Sequence, residues 1–175
     1  MKKTLACIII VTNLLVCTLI HAKPVTELVR IDYPITYIEG FTALSTGTEI
    51  KIGKDLAGIL TEDELGIVIL HEAYHNVLSH SEKTLDEVHE FCNYTNSQEE
   101  YITCASLHKA IKFEYYQQQE READLGSFRT GKRIGYTQDV CNLFVKLRRR
   151  LGEASNYTTH PKFSERYETC MRELR

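Results

Sequence analysis

Apolar and polar positions fall into distinct regimes along this chain, and each regime predicts a different element. Leu5 to Ile20 is a nearly unbroken apolar run behind a basic Met1-Lys2-Lys3 start, and Ile20-His21-Ala22 closes it on a small residue. That layout is the layout of a secretory signal, so residues 1–22 are expected to be the signal and residues 23–175 one mature domain. Between Glu27 and Ile52, the short stretches Val29-Arg30-Ile31, Ile35-Thr36-Tyr37-Ile38 and Thr48-Glu49-Ile50-Lys51-Ile52 are broken by turn residues such as Gly40. The last of them alternates polar and apolar side chains, as a half-buried strand does, and a small antiparallel sheet is expected.

From Thr61 the period changes. Thr61-Glu62-Asp63-Glu64 is a capping box, in which the hydroxyl and the carboxylate satisfy free amides at a helix start. The helix it opens runs through Leu65, Ile67, Val68, Ile69 and Leu70 to about Ser79, with apolar residues on nearly every side, so most of its circumference should be buried. Residues 81–100 are polar and acidic and read as an exposed excursion. A second long helix is expected from about Glu99 to Phe128, with Ile102, Ala105, Ile111, Phe113 and Tyr116 among its apolar positions, and shorter helices at about Thr137 to Leu151 and Ser164 to Leu174. The fold class is therefore α+β, mostly helical, with a small sheet near the N-terminus.

Composition narrows the choice of function. With 175 residues, 43% hydrophobic and 26% charged, the chain holds enough apolar material for one domain with its own core. Residues 1–22 carry two lysines and no acid, so the mature part has a formal charge of −5, which argues against nucleic acid as a partner. No second apolar run approaches the roughly 18 residues that span a bilayer. Export to the bacterial periplasm or the medium is expected, the alternatives being an anchor through an uncleaved signal or a lipid on Cys17 behind Leu14-Leu15-Val16. Four cysteines remain after the signal, and in an oxidising compartment they suggest Cys92 with Cys104 and Cys141 with Cys170. Residues 129–175 carry eleven basic against five acidic side chains. The Arg148-Arg149-Arg150 run reads as a solvated helix face, with a docking surface for an acidic partner as the second reading.

The chemistry concentrates in His71-Glu72-Ala73-Tyr74-His75. Histidines four residues apart project from one helical face and can converge on one ion, while Glu72, rotated by about 100°, stands beside that ion as a general base. A catalytic zinc takes three protein ligands and a water. Glu120-Arg121-Glu122-Ala123-Asp124 supplies candidates for the third: Glu120 can bind the metal while Asp124, one turn on, accepts a hydrogen bond from a ligand imidazole, and Glu122 is the rival ligand. Small Ala123 favours close helix packing there. His80, His89 and His108 read as structural or surface residues.

Three separated motifs in this order resemble the gluzincin zinc metallopeptidases, the family that includes the HtpX heat-shock protease, the CaaX prenyl-protein endoprotease and periplasmic proteases of outer-membrane quality control. The resemblance covers roughly Phe41 to Arg166 and takes in His71 to His75 with His80 five residues on, Glu120 to Asp124, and Thr159-His160-Pro161 followed by Arg166. It implies a zincin-like domain with Glu120 as third ligand and Asp124 orienting a zinc histidine. It also implies that His160 approaches the substrate oxyanion or leaving group, with Arg166 in support. The chain departs from the family at Tyr74, where relatives commonly carry Gly, at Gln117 in place of Arg, and at Ser45-Thr46-Gly47 in place of a Pro-Gly-Gly turn.

The expected activity is thus zinc-dependent endopeptidase action with one Zn2+ ion held by His71, His75 and Glu120, and with Glu72 and His160 as catalytic residues. A protein or peptide substrate would lie extended along Thr48, Glu49 and Ile50, treated as an edge strand, and would be read through its backbone. The competing reading is a zinc-binding, weakly active or inactive family member that acts as a chaperone or assembly factor and docks through the basic C-terminal helices.

Overall fold

A computed structural model describes residues 30–80, 97–153 and 160–175. The expected signal and Cys92 lie outside the described residues. Three strands come first: β1 (Ile35–Ile38), β2 (Ala43–Ser45) and β3 (Ile50–Gly53). They are followed by α1 (Lys54–Ala57), α2 (Glu62–Val77), the long α3 (Gln98–Arg133), a 3₁₀ turn at Gln138–Cys141, α4 (Asn142–Leu151) and α5 (Phe163–Glu173).

The sheet corrects two expectations. Its order is β1-β3-β2, with β3 antiparallel to β2 but parallel to β1, so it is mixed. The predicted edge strand is therefore central. Ile50 and Ile52 are fully buried and face the core, and β3 is paired on both sides, so Ile50 has no open edge to offer a substrate, while Thr48 and Glu49 lie in the turn that precedes the strand. The edge beside α2 is β2, a three-residue strand too short to show a period-2 pattern in the sequence. Gly47, at φ +87°, turns the chain from β2 into β3, and the Thr46 amide donates to the Glu49 carbonyl across that turn. The stretch at Arg30 and Ile31 forms no strand.

The Thr61 capping box forms as expected: Thr61 Oγ1 accepts from the Glu64 amide at 3.3 Å and Glu64 Oε2 accepts from the Thr61 amide at 2.7 Å. The same Glu64 oxygen accepts from Lys146 Nζ at 2.6 Å, which ties the start of α2 to α4. Ile67 and Leu70 from α2, Phe128 from α3, Leu143 and Phe144 from α4 and Phe163 from α5 close over the buried face of the sheet. Phe128 meets Phe144 edge to face at 5.9 Å, and burial of such a ring stabilises the fold by about 2 to 3 kcal/mol. The expected Cys141–Cys170 disulfide is present and joins the 3₁₀ turn to α5, contributing about 3 to 4 kcal/mol on a chain-entropy account. Cys104 is also disulfide-bonded.

Helix α3 runs past its expected end, to Arg133, and its two halves differ. The inward side of residues 119–131 packs into the core, whereas Ile102 and Ile111, two of the helix's apolar positions, are exposed. The crossing of α2 with α3 is close because Gly126 faces the ring of Tyr74: a Cβ there would sit 2.5 Å from Cδ1 and Cε1 of the tyrosine. Tyr74 thus occupies room that Gly126 vacates, and its hydroxyl reaches Thr130 Oγ1 at 2.8 Å. Helix propensity alone would make Gly126→Ala stabilising by about 1 kcal/mol. The ring contact reverses that sign, and a net loss of about 1 to 3 kcal/mol is expected. Thermal denaturation of G126A checks this, with the double variant Y74A/G126A expected to be no less stable than Y74A alone; a raised midpoint for G126A alone contradicts it.

Candidate metal centre

Helix geometry brings the motif residues together. His71 and His75 lie one turn apart on the face of α2 that meets α3, and Glu120 and Asp124 lie one turn apart on the opposing face. Between the two carboxylates sits Ala123, fully buried, whose small side chain lets the helices approach. Nε2 of His71 lies 3.0 Å from Nε2 of His75 and 3.2 Å from Glu120 Oε2, and His75 Nε2 lies 3.5 Å from Glu120 Oε1. Ligands bound tetrahedrally at about 2.0 Å would be separated by about 3.3 Å. The three donors therefore fit a zinc-sized ion, and the donor set of two imidazoles and a carboxylate suits one. Glu122, the rival, turns away from this cluster with its side chain 46% exposed.

The remaining contacts orient these donors. Nδ1 of His71 lies 3.0 Å from Asp124 Oδ1, and Arg166 grips Asp124 with two bonds, Nε to Oδ2 at 2.9 Å and Nη2 to Oδ1 at 2.7 Å. Arg166 thus supports the site through Asp124, with its guanidinium 4.9 Å from the centre of the Phe144 ring. His160, half exposed at the rim, reaches Glu120 Oε2 through Nδ1 at 2.7 Å. Glu72 is buried on the wall of a cleft of about 200 Å3 that Phe41, Ala43, Val68, Leu147 and Leu151 also line, so the chemistry opens onto an apolar groove.

Two residues that the sequence reading passed over belong to this arrangement. His80, read as structural or surface, is buried with Nδ1 3.1 Å from Nδ1 of His75. Asn76 follows His75 directly and accepts from the Gly47 amide at 2.7 Å and from the Ser45 hydroxyl. It fixes the β2–β3 turn over α2, and the one available signal for it was a polar residue on the buried side of an otherwise apolar helix. His89 lies outside the described residues, and His108 stands on the outer half of α3, away from the site.

Electrostatics separates the two histidines. Burial opposes a charge on His71, but Asp124 and Glu120 outweigh it and raise its pKa to about 10. Burial and the charged His71 push His75 down to about 3. Burial opposes ionisation of Glu120, yet His160 and His71 hold its carboxyl well below the usual range; Asp124 is likewise held low by Arg166 and His71. Burial raises Glu72, which makes it a stronger base than a solvated carboxylate. The protonated form of His71 is thus favoured by its two carboxylate neighbours. Its stabilisation is full below the unfolded value near 6.5 and is lost as the pH rises through about 10. The melting temperature of the metal-free protein is therefore expected to fall between pH 7 and pH 10, and His71→Gln to flatten that fall; a wild-type profile level over this range contradicts the assignment.

No curated protein and no solved structure matches the chain. The family model described as Peptidase family M48 matches residues 18–173, nearly the whole sequence, and that span contains every residue of the His71, His75 and Glu120 cluster. On that match the chain belongs to peptidase family M48 and is a metallopeptidase by family.

Proposed function

We propose that this protein is a zinc-dependent endopeptidase that cleaves extended or misfolded protein segments outside the cytoplasm. The observation that carries the reading is the convergence of His71, His75 and Glu120 on one point with Glu72 buried beside it on the cleft wall. A structural metal site has no use for an adjacent base. One zinc ion bound by the three donors would supply Lewis acidity toward water and the scissile carbonyl. Glu72 takes the proton of the attacking water and returns it to the leaving amine. His160, at the rim, donates toward the oxyanion or the leaving group, and Arg166 holds Asp124, which keeps His71 in the tautomer that presents Nε2.

Substrate pairing belongs to β2 instead of β3. Thr42 accepts from the Gly53 amide, so the alternation of an antiparallel pair turns the Ala43 backbone groups outward, beside the cleft that holds Glu72. A strand added there is read mainly through its backbone, which favours unfolded segments over a fixed sequence. The apolar cleft would take one bulky apolar side chain next to the cleaved bond. Export is supported by the Cys141–Cys170 disulfide, a bond of oxidising compartments, together with the apolar run behind Lys2-Lys3. No helix among the described residues is long and apolar enough to cross a membrane.

Digestion of casein or a denatured protein tests the activity. Glu72→Gln is expected to keep its zinc and lose about 10²-fold to 10⁴-fold in rate. Equal rates in both proteins would overturn the role of Glu72, and a zinc-loaded wild type without activity would favour the chaperone reading. Zinc content after loading tests the ligands: Glu120→Ala is expected to lose the ion and Glu122→Ala to keep it, and the reverse result overturns the assignment of Glu120.

A further inference from the structure

The two ligand histidines are backed differently. His71 Nδ1 meets a carboxylate directly, at Asp124. His75 directs Nε2 at the metal position, and its other nitrogen, Nδ1, meets a second imidazole, His80, at 3.1 Å. The far nitrogen of His80, Nε2, lies 3.3 Å from Glu122 Oε2, and the other oxygen of Glu122 accepts from Gln118 Nε2 at 2.9 Å. Local backbone geometry is bent to make this contact. Ser79 holds φ at +54°, among the described residues the one non-glycine residue with positive φ, and the His80 amide donates back to the His75 carbonyl at 2.9 Å. Gln119 of α3 donates to the His80 carbonyl at 3.4 Å. The chain leaves α2 through a conformation that L-residues rarely adopt, and the result is an imidazole placed behind a ligand.

Proton placement along this line has one consistent solution once His75 binds through Nε2. Its Nδ1 then carries the hydrogen, so His80 Nδ1 must accept, so the His80 hydrogen sits on Nε2 and needs an acceptor, which Glu122 provides. We propose that His80 and Glu122 are positioning residues for the metal: a two-step hydrogen-bond line from His75 to His80 to Glu122 fixes the tautomer and orientation of His75, as Asp124 with Arg166 does for His71. This inference rests on the ligand set proposed above. It gives Glu122, the rejected ligand, a place behind the site, and it means that the two histidines of α2 are held through separate supports.

Zinc affinity, measured by competition with a fluorescent chelator at fixed pH, tests the line, with Glu120→Ala as the control that reports on the ligand set itself. His80→Phe removes the acceptor and is expected to weaken zinc binding by about 10-fold to 100-fold. His80→Asn places an oxygen near the position of Nδ1 and is expected to recover most of that loss, which a role in packing alone would not give. Glu122→Ala, a change on a half-exposed side chain, is expected to weaken binding about threefold to tenfold while the protein stays saturable with zinc. In the zinc-loaded wild type, long-range 1H–15N correlations are expected to find the His80 proton on Nε2. Binding by His80→Phe within about twofold of wild type, an Asn variant as weak as the Phe variant, or a His80 proton on Nδ1 overturns the proposal. Should His80→Phe fail to fold, the Glu122→Ala affinity and the wild-type tautomer decide alone: an unchanged affinity or the wrong tautomer overturns it. Loss of zinc in Glu120→Ala beside an unchanged Glu122→Ala would refute the line and leave the ligand set standing, whereas a wild type that binds no zinc would refute both.

Discussion

A buried carboxylate, Asp124, is the contact on which the rest of the site depends. It lies in α3, accepts two bonds from Arg166 in α5 and faces Nδ1 of His71 in α2, so three helices meet on one side chain. Burying a charge without a partner costs several kcal/mol, and removal of one member of a buried pair typically destabilises by about 3 to 5 kcal/mol. Asp124 and Arg166 are each tolerable only because the other is present. The Cys141–Cys170 link and the Phe128–Phe144 contact hold α5 and α4 where Arg166 can reach inward. Stability and site geometry therefore share parts: what fixes the helices also fixes the orientation of the His71 imidazole.

Charge balance shapes this cluster. Glu120 and Asp124 are anionic, and Arg166 and a proton on His71 offset them. A small cation held by these donors would take the place of that proton. His75 is already neutral and presents a lone pair. Preorganisation of this kind is what a metal site needs in order to bind without rearranging its helices.

Much of this was legible in the sequence where the signal was periodic or chemical. The Thr61 capping box, the buried α2, and the one-turn spacing of His71 with His75 and of Glu120 with Asp124 depend on local rules that a single chain displays. The sheet was less legible because β2 has three residues and its partner strand is chosen by tertiary packing, so β3 looked like an edge when it is central. The placement of His80 behind His75 is hidden for a similar reason. Its role depends on a left-handed Ser79, and no spacing rule marks a position where a non-glycine residue leaves a helix in that conformation. Tyr74 looked like a departure from the family until Gly126, 52 positions on, was seen to make room for it.

The central claim is that one ion sits between α2 and α3 on two imidazoles and one carboxylate. X-ray absorption at the zinc edge of the loaded protein tests it most directly. The account predicts a first shell of nitrogen and oxygen at about 2.0 to 2.1 Å with the outer-shell scattering of two imidazoles, and loss of zinc from that shell when Glu120 is replaced. A sulfur shell near 2.3 Å, or scattering from one imidazole only, would contradict it.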